Sequence, residues 1–393
     1  MSFHRTPGLV AGLAALTATC VFACGKPFTS FTDDTDGGTT STVSPTTTSG
    51  GGGGAGGMNQ GGGGAGPGTG GIGGTGGIGG TGGSTSTNCD LDDPTACSAG
   101  QYCSAGSYTC VSCSTLGVLT FGNPVPLDLQ APGQTPAAPR VRIAPGGVEE
   151  LLFTSINPGA STDIAIATRS GTSWGQGTFI PGTNVNSATA EASPLRIPAN
   201  VTIPNVAMSE PIFFTATINT RRKVMAGTPS TARIEVPNLN AGGSDSYSVA
   251  LAYAAAPPRY WYMRTVGAVS DLRFVTQTAE ETTPTPLANI VLPGTCTLTI
   301  TGGMDLAPWV TPSGTHLLFQ ANPQCSTASL VRGFYVSLNT NGTVNGNARE
   351  LTIEGHPDTS NVRTPSLSPD FCSLYFAAED VNNERKLYSA RRR

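Results

Sequence analysis

The chain has 393 residues, of which 52 are glycine and only 12% are charged, and its formal net charge at pH 7 is −4. Because the charges are spread along the chain without blocks, the composition argues against a nucleic-acid surface and against a polyanionic partner. Glycine, serine and threonine are concentrated before Cys89. About 280 residues therefore remain to bury a core, and one folded domain is the simplest expectation.

Residues 1–23 are typical of a bacterial signal peptide. A short basic segment precedes an apolar run of about 16 residues, which is short for a membrane-spanning helix and suits a signal h-region. The run ends Val21-Phe22-Ala23-Cys24-Gly25, which resembles the lipobox of bacterial lipoproteins. That resemblance implies a lipid on Cys24, and Gly25 is compatible with sorting to an outer membrane. Ordinary secretion after cleavage near Ala23 is the alternative.

Residues 24–88 are predicted to form a disordered tether. They are rich in threonine and serine and then in glycine. So little apolar surface cannot offset the entropy that ordering would cost. A flexible coil of this length has an r.m.s. span of roughly 40 Å, which would hold a folded head clear of a membrane surface.

Residues 89–113 form a cysteine-rich module, here called the knob. Its five cysteines are Cys89, Cys97, Cys103, Cys110 and Cys113. In an exported chain this density predicts disulfides, because so short a segment cannot build a core alone. Zinc is the rival, since the last two cysteines have a ligand-like spacing. The oxidising compartment and the missing second CxxC pair disfavour zinc.

Cysteine parity gives a sharper hypothesis. Three more cysteines, Cys296, Cys325 and Cys372, follow the knob. Full pairing of these eight would require at least one disulfide between the knob and the rest of the chain. One free thiol in each part is the alternative, and the sequence does not choose among the connectivities.

The folded part contains an internal repeat. Residues 308–321 align without a gap with residues 365–378, at an offset of 57. A third copy begins at Ile143, and two weaker copies are centred on Phe213 and Trp261. Each copy has a turn followed by a short run of strand-forming residues, and most are followed by another strand.

Strands and turns that recur about every 50 to 60 residues predict the blades of a β-propeller, an all-β fold. The Ser368-Pro369-Asp370 turn, with the strands around Tyr375 and Tyr388, resembles the Pro-Asp repeat of WD-like propellers, the family that includes the propeller of the Tol translocation system. The resemblance implies a propeller over residues 116–393, and the five copies of the repeat predict five four-stranded blades, six being the alternative.

The chain also predicts how the ring closes. Residues 118–127 look like a strand without a blade of its own, while the last copy of the repeat stops just after its final strand. We expect this N-terminal strand to complete the C-terminal blade, which would remove the free edges of the ring.

Function is predicted at a coarser level, because this fold hosts many activities. A tethered envelope protein whose head binds a protein or glycan ligand without catalysis is favoured. A carbohydrate-active hydrolase or lyase is one alternative, and a purely structural envelope protein is another. Neither His316 nor His356 lies in a metal-like or triad-like setting, so no metal, cofactor or catalytic residue is predicted.

Three residues near the repeated turns are candidates for binding in the channel of the propeller: Asp305, Trp309 and Arg363. Asp305 could meet a ligand through its carboxylate. Trp309 could be a platform for a sugar or could pack between blades. Arg363 could meet a ligand or could be a solvated strand end.

Overall fold

In this computed structural model the described residues are 89, 91, 96–104, 107–129, 134–156, 161–199, 201–240, 244–267, 269–276, 285–286, 290–294, 298, 305–322, 330–357, 361–380 and 382–393. Within them the secondary structure is β-strand apart from one 3-10 turn, Pro237–Leu239. None of the helical segments in this part of the chain is long and apolar enough to span a membrane. The predicted signal peptide, tether and lipid-bearing Cys24 lie outside the described residues, as do Cys296 and Cys325.

The knob is a small hairpin held by disulfides. Its strands β1 (Gln101–Cys103) and β2 (Cys110–Ser112) pair antiparallel. Cys89 is bonded to Cys103, and Cys97 to Cys110. A third disulfide, Cys113–Cys372, spans 259 residues of sequence and joins the knob to the remainder of the chain. This is the kind of bridge that the parity argument requires.

The rest of the described chain forms five blade sheets and one small two-stranded sheet. Two short strands come first, β3 (Thr120–Phe121) and β4 (Val125–Leu127). The first blade contains β5 (Thr135–Ile143), β6 (Glu149–Ile156), β7 (Thr162–Ser170), β8 (Ser173–Trp174) and β9 (Thr178–Phe179), with both β8 and β9 paired to β7. The second contains β10 (Glu191–Arg196), β11 (Ile212–Ile218), β12 (Arg221–Gly227) and β13 (Ile234–Glu235). The third contains β14 (Asp245–Ala252), β15 (Arg259–Val266), β16 (Val269–Thr276) and β17 (Thr285–Pro286).

The last two blades follow the same plan. The fourth contains β18 (Trp309–Val310), β19 (His316–Ala321), β20 (Arg332–Leu338) and β21 (Val344–Glu350). After the short β22 (Thr352–Ile353), the fifth contains β23 (Arg363–Leu367), β24 (Ser373–Glu379) and β25 (Arg385–Arg391). Strand β4 completes it, so the order is β23-β24-β25-β4. The all-β fold with five propeller blades is confirmed.

The second strand of each blade carries much of the core. In β11 the residues Ile212, Phe213 and Phe214 are all at most 1% exposed, although side chains of a strand alternate between two faces. Both faces are buried because the blades stack on one another. Phe213 in the second blade stacks on Tyr260 in the third, with 6.1 Å between ring centroids. A continuous apolar run, rather than alternation, is the pattern that such a strand requires.

The internal repeat is reproduced in the strand registers. Trp309 pairs with Leu318 across β18 and β19, and Ser366 pairs with Tyr375 across β23 and β24. Each residue of the second pair lies 57 positions after its counterpart, the offset found in the sequence. The gapless alignment therefore marks equivalent positions in two successive blades.

The predicted closure is confirmed, with one difference. Strand β4 pairs with β25, and Leu127 lies opposite Leu387. The expected strand over residues 118–127 is interrupted, however, and its first part, β3, pairs in parallel with β22 outside the blade. The interruption contains Pro124, which has no N–H to donate to a strand ladder.

Candidate functional site

The central channel is the place where a propeller brings residues of all its blades together. In each blade the strand that comes first in the order of hydrogen-bonded strands lies next to the channel and is called the inner strand. The five inner strands are β5, β10, β14, β18 and β23. Successive inner strands contact one another around the ring, as β23 does with β5 and β5 with β10. The end of the channel at which the inner strands begin is called the channel mouth.

Each inner strand has, within it or just before it, a residue in the left-handed region of backbone conformation. These residues are Ala138, Ser193, Ser248, Ala307 and Thr364, with φ between 45° and 53°. Four of them lie within bulges of their strands, and Ala307 lies two residues before β18. None is glycine, so the conformation is strained and must be held by its surroundings. We call these five residues the inner ring.

Side chains of the preceding blade hold part of the inner ring. Thr154 Oγ1 accepts a hydrogen bond from the N–H of Ser193 at 3.0 Å, and Thr215 Oγ1 accepts one from Ser248 at 3.1 Å. Gln320 Oε1 accepts one from Thr364 at 2.6 Å. The registers place these three acceptors at the same position of the second strand in their blades. One repeated polar position thus satisfies a buried N–H of the next blade.

Two blades lack a polar residue at this position and use another acceptor. Met263 occupies it in the third blade and Ala377 in the fifth. Asp305 Oδ1 instead accepts the hydrogen bond from the N–H of Ala307, at 2.7 Å. Thr364 Oγ1 accepts the one from Ala138, at 3.1 Å. Asp305 therefore supplies the acceptor that Met263 cannot.

Asp305 is also the carboxylate that meets the hydroxyl groups of the inner ring. Its Oδ2 accepts a hydrogen bond from Ser248 Oγ at 2.6 Å, and Ser248 Oγ lies 3.2 Å from Ser193 Oγ. The residue remains partly exposed. Burial raises the pKa of Asp305, although Ser248, the N–H of Ala307 and two arginines act in the opposite direction. The result is a carboxyl group in a polar, partly desolvated environment.

Arg140 is a buried cation of the inner strand β5. Its Nη1 donates to Pro139 O and its Nη2 donates to Pro308 O, both at 3.0 Å, so the side chain links the first blade to the fourth. The residue is 5% exposed. Burial lowers the pKa of Arg140 to about 10, and the charge of Asp305 opposes that change. Asp305 and Arg140 are thus opposite charges that interact across two blades.

Replacing Asp305 by asparagine tests the raised pKa. A carboxyl group with a raised folded-state pKa contributes stability that is present below its unfolded value and lost as pH rises through the folded value. The free energy of unfolding of the native chain, relative to Asp305→Asn, should therefore fall as pH rises above the ordinary aspartate pKa of about 4. Urea unfolding at several pH values measures it. A difference that stays constant or grows with pH would show that the pKa is not raised.

The other two channel candidates do not join Asp305. Trp309 is 8% exposed and packs edge-on against Phe371, with 6.3 Å between centroids, so the structure places it between blades. Arg363 is 7% exposed and donates from Nε to Glu379 Oε1 at 3.2 Å. Burial would raise the pKa of Glu379, but Arg363 and Arg385 outweigh it and hold the pKa below its ordinary value. Arg363 therefore belongs to an ion-pair network of the fifth blade.

A second inner-strand carboxylate is fully occupied. Glu191 is 0% exposed and accepts hydrogen bonds from Ser187 N, Ser187 Oγ, Thr189 Oγ1 and Arg233 Nη1, between 2.6 and 3.1 Å. Burial first, and then the charge of Glu191, raise the pKa of Asp163. The sequence offered no signal for Glu191, because its partners come from the loop before β10 and from the segment before β13.

No family model matches the chain, and no curated protein matches it. Solved structures resemble it in fold. A thermostable family-43 glycoside hydrolase is 12% identical, with 68% of this chain and 92% of that one covered and a TM-score of 0.42. The RS223 β-xylosidase is 11% identical, with 68% and 94% covered and a TM-score of 0.43. An endo-arabinase from Bacteroides thetaiotaomicron is 12% identical, with 70% and 97% covered and a TM-score of 0.42. At these values the likeness carries no statement about activity.

Proposed function

We propose that this protein is an exported, lipid-anchored protein of the cell envelope, and that its propeller binds a protein or other ligand at the channel mouth without catalysing a reaction. The carrying observation is the state of three carboxylates in or just before the inner strands: Asp305, Glu191 and Asp245, the last of which accepts a hydrogen bond from Arg222 Nε at 3.2 Å. Both oxygens of Asp305 accept hydrogen bonds from the channel itself, and Glu191 is enclosed by four donors. Glycoside hydrolysis needs one carboxyl group free to donate a proton and a second free to attack or to activate water.

Anchoring rests on the leader and on Cys24. Two or three acyl chains on this residue would suffice for stable attachment, because each buried CH₂ contributes about 0.8 kcal/mol. Labelling of cells with an alkyne fatty acid should mark the native chain and the Cys20→Ala variant, but not Cys24→Ala. Label that persists in Cys24→Ala would contradict attachment at this residue. Assignment of the propeller to the WD-like family belongs to the same proposal and rests on the Pro369-Asp370 turn.

Site-specific cross-linking tests the binding role. A photoreactive residue at Thr135, where the first inner strand begins, would report on the channel mouth. Asn341, an exposed turn residue between β20 and β21, would report on the opposite end and serves as the control. A discrete adduct from Thr135 only is expected in intact cells. Absence of any adduct at Thr135 would favour the purely structural alternative.

A different measurement distinguishes catalysis from binding without catalysis. Arabinan and xylan are incubated with the native chain and with Asp305→Asn, and new reducing ends are counted. No release above the blank is expected for either protein. Release by the native chain that is lost in Asp305→Asn would overturn the binding proposal and make Asp305 a catalytic group.

A further inference from the structure

A cavity of about 360 Å³ lies between the knob and the propeller. Knob residues Tyr102, Ser104 and Val111 form one wall. The other wall comes from the segment after the knob and from the end of the last strand, and its residues are Thr115, Gly117, Val118, Thr120, Arg392 and Arg393. The cavity therefore exists only while the knob is docked, and the Cys113–Cys372 disulfide keeps it docked.

Arg392 gives this cavity a buried positive charge. The residue is 4% exposed. Its Nη1 donates to Cys113 O at 2.8 Å and its Nη2 to Thr115 O at 2.6 Å, and its guanidinium lies 4.8 Å from the centre of the Tyr102 ring. Its Nε is enclosed without an acceptor. The charge thus meets carbonyl dipoles and an aromatic face, and no carboxylate is among these partners.

The remaining lining has the chemistry of an anion site. None of the described residues that line the cavity is acidic, and Ser104, Thr115, Thr120 and Tyr102 carry hydroxyl groups. Arg393 adds a second cation and is paired at 2.7 Å with Glu354, whose side chain is 40% exposed. Burial lowers the pKa of Arg392, so a nearby negative charge would stabilise its ionised form.

We propose that this cavity binds an oxyanion, which a ligand supplies as a carboxylate or a phosphate group. Arginine suits both, because guanidinium donors and planar or tetrahedral oxyanions form strong charge-assisted hydrogen bonds. A guanidinium that is buried with no carboxylate among its named partners is costly, and an oxyanion in the cavity would offset that cost. The bound anion would contact both walls, so it would also hold the knob on the propeller.

Calorimetric titration of residues 1–393 with inorganic phosphate, and separately with acetate, tests the proposal. Arg392→Gln is expected to weaken binding roughly tenfold or more, as the loss of charge-assisted hydrogen bonds implies. Arg391→Gln removes the same charge from an exposed position at the end of β25, next to Arg392, and should change the Kd less than about twofold. An equal loss in both variants would show a diffuse charge effect and overturn the site.

A second pair of variants leaves Arg392 in place. A Cβ at Gly117 meets no atom within 4 Å, so Gly117→Trp should occupy the space and Gly117→Ala should not. Gly117→Trp is expected to abolish saturation, and unchanged affinity would overturn the site. Saturation by phosphate alone identifies a phosphate-bearing ligand, and saturation by acetate alone a carboxylate-bearing one. No saturation by either at about 10 mM would also overturn the proposal.

Discussion

Replacing Phe121 by alanine is expected to lower the free energy of unfolding by about 3 to 5 kcal/mol. Phe121 is 0% exposed and packs in the core cluster that includes Leu318, Leu374 and Phe376, so it joins the segment before β4 to the fourth and fifth blades. Removal of the phenyl ring of Phe121 leaves a cavity where the N-terminal segment meets the fourth and fifth blades. Urea unfolding followed by tryptophan fluorescence measures the loss.

Val125→Ala is the matched control for this prediction. Val125 lies in β4, the strand that closes the fifth blade, but it is 60% exposed. Its truncation removes little buried area and should cost less than about 0.5 kcal/mol. If Phe121→Ala cost no more than Val125→Ala, the N-terminal segment would not contribute to closure through its core contacts.

Loss of the Cys113–Cys372 disulfide is expected to have the second large effect. The double variant Cys113→Ala/Cys372→Ala should lose up to about 5 kcal/mol, because a cross-link over 259 residues strongly restricts the unfolded chain. The knob would then be held by Arg392 and neighbouring contacts alone. Thermal unfolding, compared with the native chain under non-reducing conditions, measures the loss.

The knob offers a control of the same chemistry. Cys97 and Cys110 are only 13 residues apart, so their replacement by alanine relaxes a short loop that lies wholly within the knob. The main unfolding transition of the propeller should then shift far less than in the Cys113/Cys372 variant. Equal shifts would mean that the knob and the propeller unfold as one unit for reasons other than the long cross-link.

Much of the fold could be predicted because each copy of the repeat is visible in the sequence as turn residues followed by an apolar run. Trp309 and Ser366 are 57 residues apart in the sequence, and they occupy equivalent positions in the strand registers of two successive blades. The closing strand could be expected from a spare strand at one end and an incomplete blade at the other. Its break near Pro124 was missed because the run of strand formers was treated as one element.

The candidate site was less predictable, because its geometry depends on which side chain reaches which bulge. Thr154, Thr215 and Gln320 follow the apolar run of their repeats, and this shared polarity was a usable signal. The substitution of Asp305 for the missing acceptor at Met263 was not, since it depends on folding across blades. Trp309 was offered as a platform because an aromatic residue near a turn has the same sequence pattern whether it faces a channel or a neighbouring blade.

The long disulfide has a mechanical consequence. A pull on the chain before Cys89 is carried through the knob to Cys113, and from there across the disulfide to Cys372 in the fifth blade. The segment after Cys113, which includes β3 and β4, lies outside this load path. Tension on the N-terminal side would thus act on the turn between β23 and β24 and not on the closing strand β4. The propeller can therefore bear force without losing the pairing of β4 with β25.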